Sequence, residues 1–166
     1  MSIPTWNQYF TQLANLVKTK SKDRSGHVGA VIVGDNHHVL STGYNGFPRC
    51  IDDTVDAYHE RPLKYDMTCH AEHNAILQAA YHGIKLEGAD IYVTTQYVCA
   101  ECCKAIIQAG LKRVFAPDAP MELKGTHWQR SCVIGRNMLL EAGVEVWLLD
   151  SQGRSSLVTW RSKVPK

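Results

Sequence analysis

The run QYVCAECC, residues 96–103, places Cys99, Cys102 and Cys103 within five positions. A Cys-x-x-Cys pair at a helix start turns both sulfurs toward one point. The free N–H groups and the dipole of that helix end stabilise the negative charge that metal-binding thiolates carry. Cys99 and Cys102 fit this geometry. Cys103 lies one residue further, about 100° round a helix, so it is predicted to face elsewhere, buried and without metal.

A third ligand is predicted at His70 in CHAEHNA, because His70 opens another predicted helix and two helix N-termini from adjacent βα units can converge at one sheet edge. One imidazole and two thiolates leave a coordination position for water, whose proton affinity a zinc ion lowers. Glu72, two residues after His70, can reach such a water without becoming a ligand, so its predicted role is proton shuttle. A structural zinc site would need a fourth protein ligand, Cys69 or His73, and would leave Glu72 without a task. His-x-Glu followed some thirty residues later by Cys-x-x-Cys is the spacing of zinc nucleoside and nucleobase deaminases. Two other chemistries stay open at this point. One is a thiol redox pair at Cys99 and Cys102, and the other is a zinc-stabilised binding module without catalysis. His27, His37, His38, His59, His82 and His127 have no partner at metal-ligand spacing, and surface or hydrogen-bonding roles are expected for them.

These ligands need elements to carry them. Tyr9, Leu13, Leu16 and Val17 recur near helical spacing after Pro4 and Thr5, which predicts an opening amphipathic helix. HVGAVIVGDNHHVLSTGYN reads as two strands around Gly34, Asp35 and Asn36, a hairpin. Residues 46–68 are polar, carry Pro48 and Pro62, and read as a long functional loop. Helix and strand then alternate: AEHNAILQAAYHG, ADIYVTT, CAECCKAIIQAG and KRVFAP. The loop APDAPMELKGT, a helix from about Trp128 to Ala142 and the strand VEVWLLD follow, for five strands and four main helices. Ile76, Leu77, Ala80 and Tyr81 are the apolar positions of the His70 helix, and some of that face is expected to cover the sheet. The tail over 151–166 is expected to be mobile or to pack on another subunit.

Composition bounds the reading. The 166 residues are 45% apolar and 20% charged, which suits one domain, 1–166, with a real core. A net charge of +2 is too small for a nucleic-acid coat, so no stable nucleic-acid partner is expected. The first twenty residues show no basic leader before an apolar block, and no window reaches bilayer length, so a cytoplasmic protein without membrane contact is expected. In that reducing compartment six cysteines point to metal, catalysis or burial rather than disulfides.

SKDRSGHVGAVIV, STGYNGFPRCIDD, TCHAEHNAIL and CAECCKAIIQAG together resemble the deoxycytidylate (dCMP) deaminase family of the cytidine deaminase-like superfamily, from about residue 5 to residue 149. The zinc motif belongs to the whole superfamily, whereas GYNGFP with the acidic loop after it points to the dCMP branch. The resemblance implies a three-layer α-β-α sandwich on a five-stranded mixed sheet. It also implies a catalytic Zn2+ on His70, Cys99 and Cys102, with Glu72 passing protons as cytosine C4 is hydrolysed and dCMP becomes dUMP. Asn45 is similar to the family's sugar-binding asparagine. For the phosphate, Arg113 and Arg130 are candidates because a guanidinium grips two oxygens at once. Lys22 and Arg49 are alternatives, and the sequence does not choose among them. The family is a homo-hexamer activated by dCTP and inhibited by dTTP. By resemblance the effector lies near Asn45, Gly46, Phe47 and Asp53, and Mg2+ can accompany a triphosphate. Another cytosine nucleotide or nucleoside, including 5-modified dCMP, is the competing substrate. Two departures stand out: Val98 replaces the family's usual proline before Cys99, and MELKGTHWQRS differs from its tyrosine-rich segment.

Overall fold

The computed structural model describes residues 2–96, 98–118, 127–159, 161, 163 and 164, with residue 127 placed through its backbone alone. Most of the loop APDAPMELKGT therefore lies outside the described residues.

The first helix, α1 (Trp6–Lys18), starts at a reciprocal cap in which Thr5 Oγ1 accepts the Gln8 N–H and Gln8 Oε1 accepts the Thr5 N–H. Its inward stripe is Phe10, Leu13, Ala14 and Val17, an i, i+3, i+4, i+7 set. The expected stripe is half right. Leu13 and Val17 belong to it, but Tyr9 and Leu16 are exposed because the sheet meets the neighbouring face of the helix.

The hairpin forms as expected from β1 (Gly29–Val33) and β2 (Val39–Tyr44), with a short 3-10 turn at Asp35–His37. β3 (Asp90–Val93) pairs antiparallel with β1; β4 (Arg113–Pro117) and β5 (Glu145–Leu149) continue in parallel. The sheet has six strands, not five. The polar tail contributes β6 (Ser155–Leu157), antiparallel to β5, giving the order β2-β1-β3-β4-β5-β6. Three exposed residues with one apolar side chain, Leu157, are too short a run to show an alternation to a sequence reading.

Strand residues alternate between two cores, as a pleated sheet requires. Val31, Val33, Tyr92 and Phe115 pack under α1. Ala30, Ile32, Ile91, Val93, Val114 and Val146 face α3 (Ala71–Tyr81), α4 (Ala100–Gln108) and α5 (His127–Glu141). This is the expected three-layer arrangement. The long loop holds one further short helix, α2 (Leu63–Met67), and a 3-10 turn at Asp56–His59.

On α3 the buried apolar positions are Ala71, Ala75 and Ala79, each at 0% exposure, while Leu77 and Tyr81 are exposed. Small residues win the inner face because helix and strand touch there. A Cβ on Gly43 would stand 2.2 Å from the Ala71 carbonyl oxygen, and Ser41 Oγ donates to the Ala75 carbonyl at 2.7 Å. Gly43 thus sets how closely the N-terminus of α3 approaches the sheet.

Candidate active site

Two helices begin with nearly the same backbone geometry. His70 caps α3 at φ −75°, ψ 156°, and Cys99 caps α4 at φ −73°, ψ 165°. Neither side chain makes a capping hydrogen bond, so both are left to point at a common centre. Both starts lie beside the C-terminal end of β3, where Thr94 exchanges hydrogen bonds with Gly29 at the start of β1. This is the edge at which α/β sheets place their ligands.

His70 Nδ1 lies 3.3 Å from Cys99 Sγ and 3.4 Å from Cys102 Sγ, and all three ligand atoms fall within 4.8 Å of one another. Tetrahedral zinc bonds of ~2.3 Å to sulfur and ~2.0 Å to nitrogen require an S···N separation of about 3.5 Å. The three atoms fit that ion. Their electrostatics ask for it as well. The Cys102 thiol donates to Cys99, and together with His70 this holds Cys99 down to about 4. Cys102 is pushed upward by that same hydrogen bond and by burial, because two adjacent sulfurs cannot both carry charge without a cation. Among the described residues Cys69 and His73 do not join the group, so the fourth ligand of a structural site is not supplied.

Cys103 turns away as predicted. It is fully buried, its thiol points at the Val98 carbonyl at 3.6 Å, and burial pushes its pKa up. A Cβ on Gly135 of α5 would stand 2.7 Å from Cys103 Sγ and 3.1 Å from the Val98 oxygen. α5 therefore presses its bare backbone on the metal loop, and Ser131 Oγ accepts the Ala100 N–H at 3.1 Å. These contacts hold the loop at Val98.

Glu72 is 2% exposed, in the first turn of α3, with Cys102, His70 and Cys99 as its charged or polar neighbours. Burial pushes its carboxyl up, against the pull of its own backbone N–H and of His70. A cavity of about 420 Å³ opens in front of Glu72 and His70, large enough for a small ligand. Trp128 lies over the His70 ring, centroids 5.6 Å apart, and Tyr65 meets Trp128 edge-on at 5.8 Å. Cys132, one helical turn after Trp128, joins the wall, and burial pushes its thiol up to about 12.

Asn45 is buried on the cavity wall. Its Oδ1 accepts the Val28 N–H and its Nδ2 donates to the Gly26 carbonyl, both at 2.8 Å, which leaves one amide N–H for a ligand hydroxyl. Gly46, Phe47 and Asp53 line a second, smaller cavity of about 130 Å³ with Lys22, whose ammonium lies 2.5 Å from Asp53. Asp23, Lys64 and Thr68 form the wall common to both cavities.

Neither arginine expected at the phosphate lines the candidate active-site cavity. Arg113 opens β4, at the opposite end of the sheet, and its Nε and Nη2 grip Asp90 at 2.7 and 2.6 Å. Arg130 follows Trp128 by two residues, about 200° round α5, and is exposed. Arg49 binds Gln78 and stacks on Tyr81.

Sequence reasoning missed the buried pair Lys64–Asp23, 2.6 Å apart with side chains 9% and 7% exposed. Burial opposes ionisation of Asp23, but the Lys64 ammonium and the N–H groups of Ser25 and Gly26 outweigh it and hold its pKa below 3.8. Removing one partner leaves a buried charge alone, so Asp23→Asn is expected to cost about 3–5 kcal/mol. A folded pKa below the unfolded 3.8 makes this stabilisation complete above that pH and loses it as acid titrates the folded group. Urea unfolding should therefore show the gap between wild type and Asp23→Asn fully open at pH 6, closing below about pH 4.

The family described as "Cytidine and deoxycytidylate deaminase zinc-binding region" matches residues 4–117. An uncharacterized deaminase in the luxG 3′ region of Aliivibrio fischeri is 42% identical over 147 residues, 88% of this chain and 95% of that protein. Human deoxycytidylate deaminase is 40% identical over 114 residues, 66% of this chain and 62% of the human protein, so the matched stretch is less than two thirds of that relative's length. The crystal structure of the cyanophage S-TIM5 dCMP deaminase in complex with dCMP and dUMP aligns at a TM-score of 0.68 with 26% identity, covering 88% of this chain and 98% of that one.

Proposed function

Because the chain belongs to the cytidine and deoxycytidylate deaminase family, we propose that it is a zinc-dependent enzyme that hydrolyses dCMP to dUMP and ammonia. The observation that carries this reading is a buried carboxyl, Glu72, set beside a three-ligand metal group at the floor of a ligand-sized cavity. A binding module without turnover gives that carboxyl nothing to do.

Zinc held by His70, Cys99 and Cys102 supplies a Lewis acid that makes water nucleophilic near neutral pH. Glu72 accepts the proton of the attacking water as its oxygen bonds to C4, and passes it to N3. Glu72 then carries the second proton of that oxygen to the departing amine, so C4 becomes a carbonyl and ammonia leaves. Its burial suits the task, since a raised carboxyl pKa lets one group both take and give a proton. Asn45 offers its remaining amide N–H to the sugar. Trp128 and Tyr65 supply apolar walls for the base.

The second cavity is the effector site in this reading, taking dCTP as activator and dTTP as inhibitor, with Mg2+ on the triphosphate. Lys20 on its lining and the wall it shares with the larger cavity support the assignment. Exposed Leu77 and Tyr81 on α3 suit an interface of a cytoplasmic homo-hexamer. No helix among the described residues is long and apolar enough to cross a membrane.

The test is loss of cytosine absorbance on zinc-loaded protein, with dCMP, 5-methyl-dCMP and deoxycytidine as substrates and with dCTP or dTTP added. The expected result is turnover of dCMP above the others, raised by dCTP and lowered by dTTP. No ammonia from any cytosine compound would end the enzymatic reading, and indifference to both triphosphates would end the regulatory one.

A further inference from the structure

We infer that Arg61 is the anchor for the 5′-phosphate of the substrate, an inference that rests on the deaminase reading of the same cavity. The cationic side chains lining the cavity beside its two histidines are Arg61 and Lys64. Lys64 is committed: its ammonium is buried 2.6 Å from Asp23, and a phosphate could recruit it only by breaking that pair. Other cations of the surrounding loops are also engaged, Lys22 by Asp53 and Arg24 by Asp56. Arg61 has no carboxylate partner among the described residues.

Its placement suits a dianion. Arg61 is exposed at the rim, with its guanidinium 5.7 Å from the Tyr65 ring centroid. Tyr65 meets Trp128, and Trp128 lies over His70, so aromatic contacts form a continuous wall from the metal ligands to the guanidinium. A cation–π contact with the tyrosine ring keeps the guanidinium near the wall and leaves its N–H fork for two phosphate oxygens. A nucleotide whose base reaches Glu72 runs along that wall and brings its 5′ end to the rim. Pairing with a phosphate costs Arg61 little desolvation there.

The experiment is calorimetric binding of dUMP and of deoxyuridine to the zinc-loaded protein and to Arg61→Gln and Arg61→Lys, together with kcat/KM for dCMP and deoxycytidine. Arg61→Gln is expected to weaken dUMP about 10- to 100-fold and to leave deoxyuridine within about twofold. Its kcat/KM should fall for dCMP and not for deoxycytidine. Arg61→Lys should lie between, because an ammonium keeps the charge and loses the fork. Equal dUMP affinity in wild type and Arg61→Gln, or equal weakening of dUMP and deoxyuridine, overturns the assignment and leaves the deaminase reading standing. A wild-type protein that binds neither ligand and turns over neither substrate removes both together.

Discussion

Glu72→Gln is expected to lower kcat for dCMP by about 10²–10⁴-fold while the protein keeps one zinc per chain. The amide has nearly the volume of the carboxyl and fills the same buried place, so the fold is spared. It cannot take a proton from water or return one to N3 and the amine. The measurement pairs initial rates with metal content by mass spectrometry, and KM should change far less than kcat, because the lost interaction belongs to the transition state. Retained turnover would remove Glu72 from the mechanism. Loss of zinc together with activity would make Glu72 a support of the metal site rather than a carrier of protons. A binding module without catalysis predicts a third pattern, unchanged ligand affinity with no rate to lose.

Cys102→Ser is expected to cost at least about 100-fold in zinc affinity, with activity and stability falling together. Serine has no thiolate to offer, and the ion would keep only His70 and Cys99. Metal affinity is also folding free energy where the ligands come from separate elements, here the starts of α3 and α4, so the thermal midpoint should fall. Cys103→Ala is the matched comparison, one residue away. Its thiol packs on Gly135 and the Val98 carbonyl, so it should retain stoichiometric zinc and lose only the small stability of a buried sulfur. Chelation should inactivate the wild type, with zinc restoring it and leaving Cys102→Ser inactive. If Cys103→Ala loses the metal and Cys102→Ser keeps it, the ligand pair is misassigned. A thiol oxidoreductase would resist the chelator and cycle between dithiol and disulfide instead.

The legible part of the site is local in the chain. Cys99 and Cys102 stand at a helix start, and their separation round that helix follows from residue count. The same count separates Cys103 from Cys102, and two residues from His70 to Glu72 bring the carboxyl beside the ligands. The α/β alternation from α3 onward is equally local, because strand and helix periods differ. The reading failed where periodicity is absent or two phases are equally good. β6 has three residues, one of them apolar, too few to show a period. Tyr9 and Leu16 on α1 are apolar at helical spacing yet face outward. On α3 the close approach of Gly43 on β2 to Ala71 and Ala75 gives the sheet the alanine face and leaves Leu77 and Tyr81 outside, and no period announces which.

Arg61, Lys64 and Asp23 show the other limit. Nothing in SKDRSG or ERPLKYD says that residues 41 positions apart form a buried pair, or that the neighbouring arginine is the cation left at the rim. Arg113 and Arg130, the arginines expected at the phosphate, are taken elsewhere by strand end and helix phase. The amino-acid order alone therefore set two local pairs, Cys99 with Cys102 and His70 with Glu72, because bonded geometry along one helix turn leaves those atoms few places to go. Only the tertiary structure decided the cavity's walls and which of its charges remain unneutralised, because those depend on segments far apart in the chain meeting through packing that no local pattern encodes.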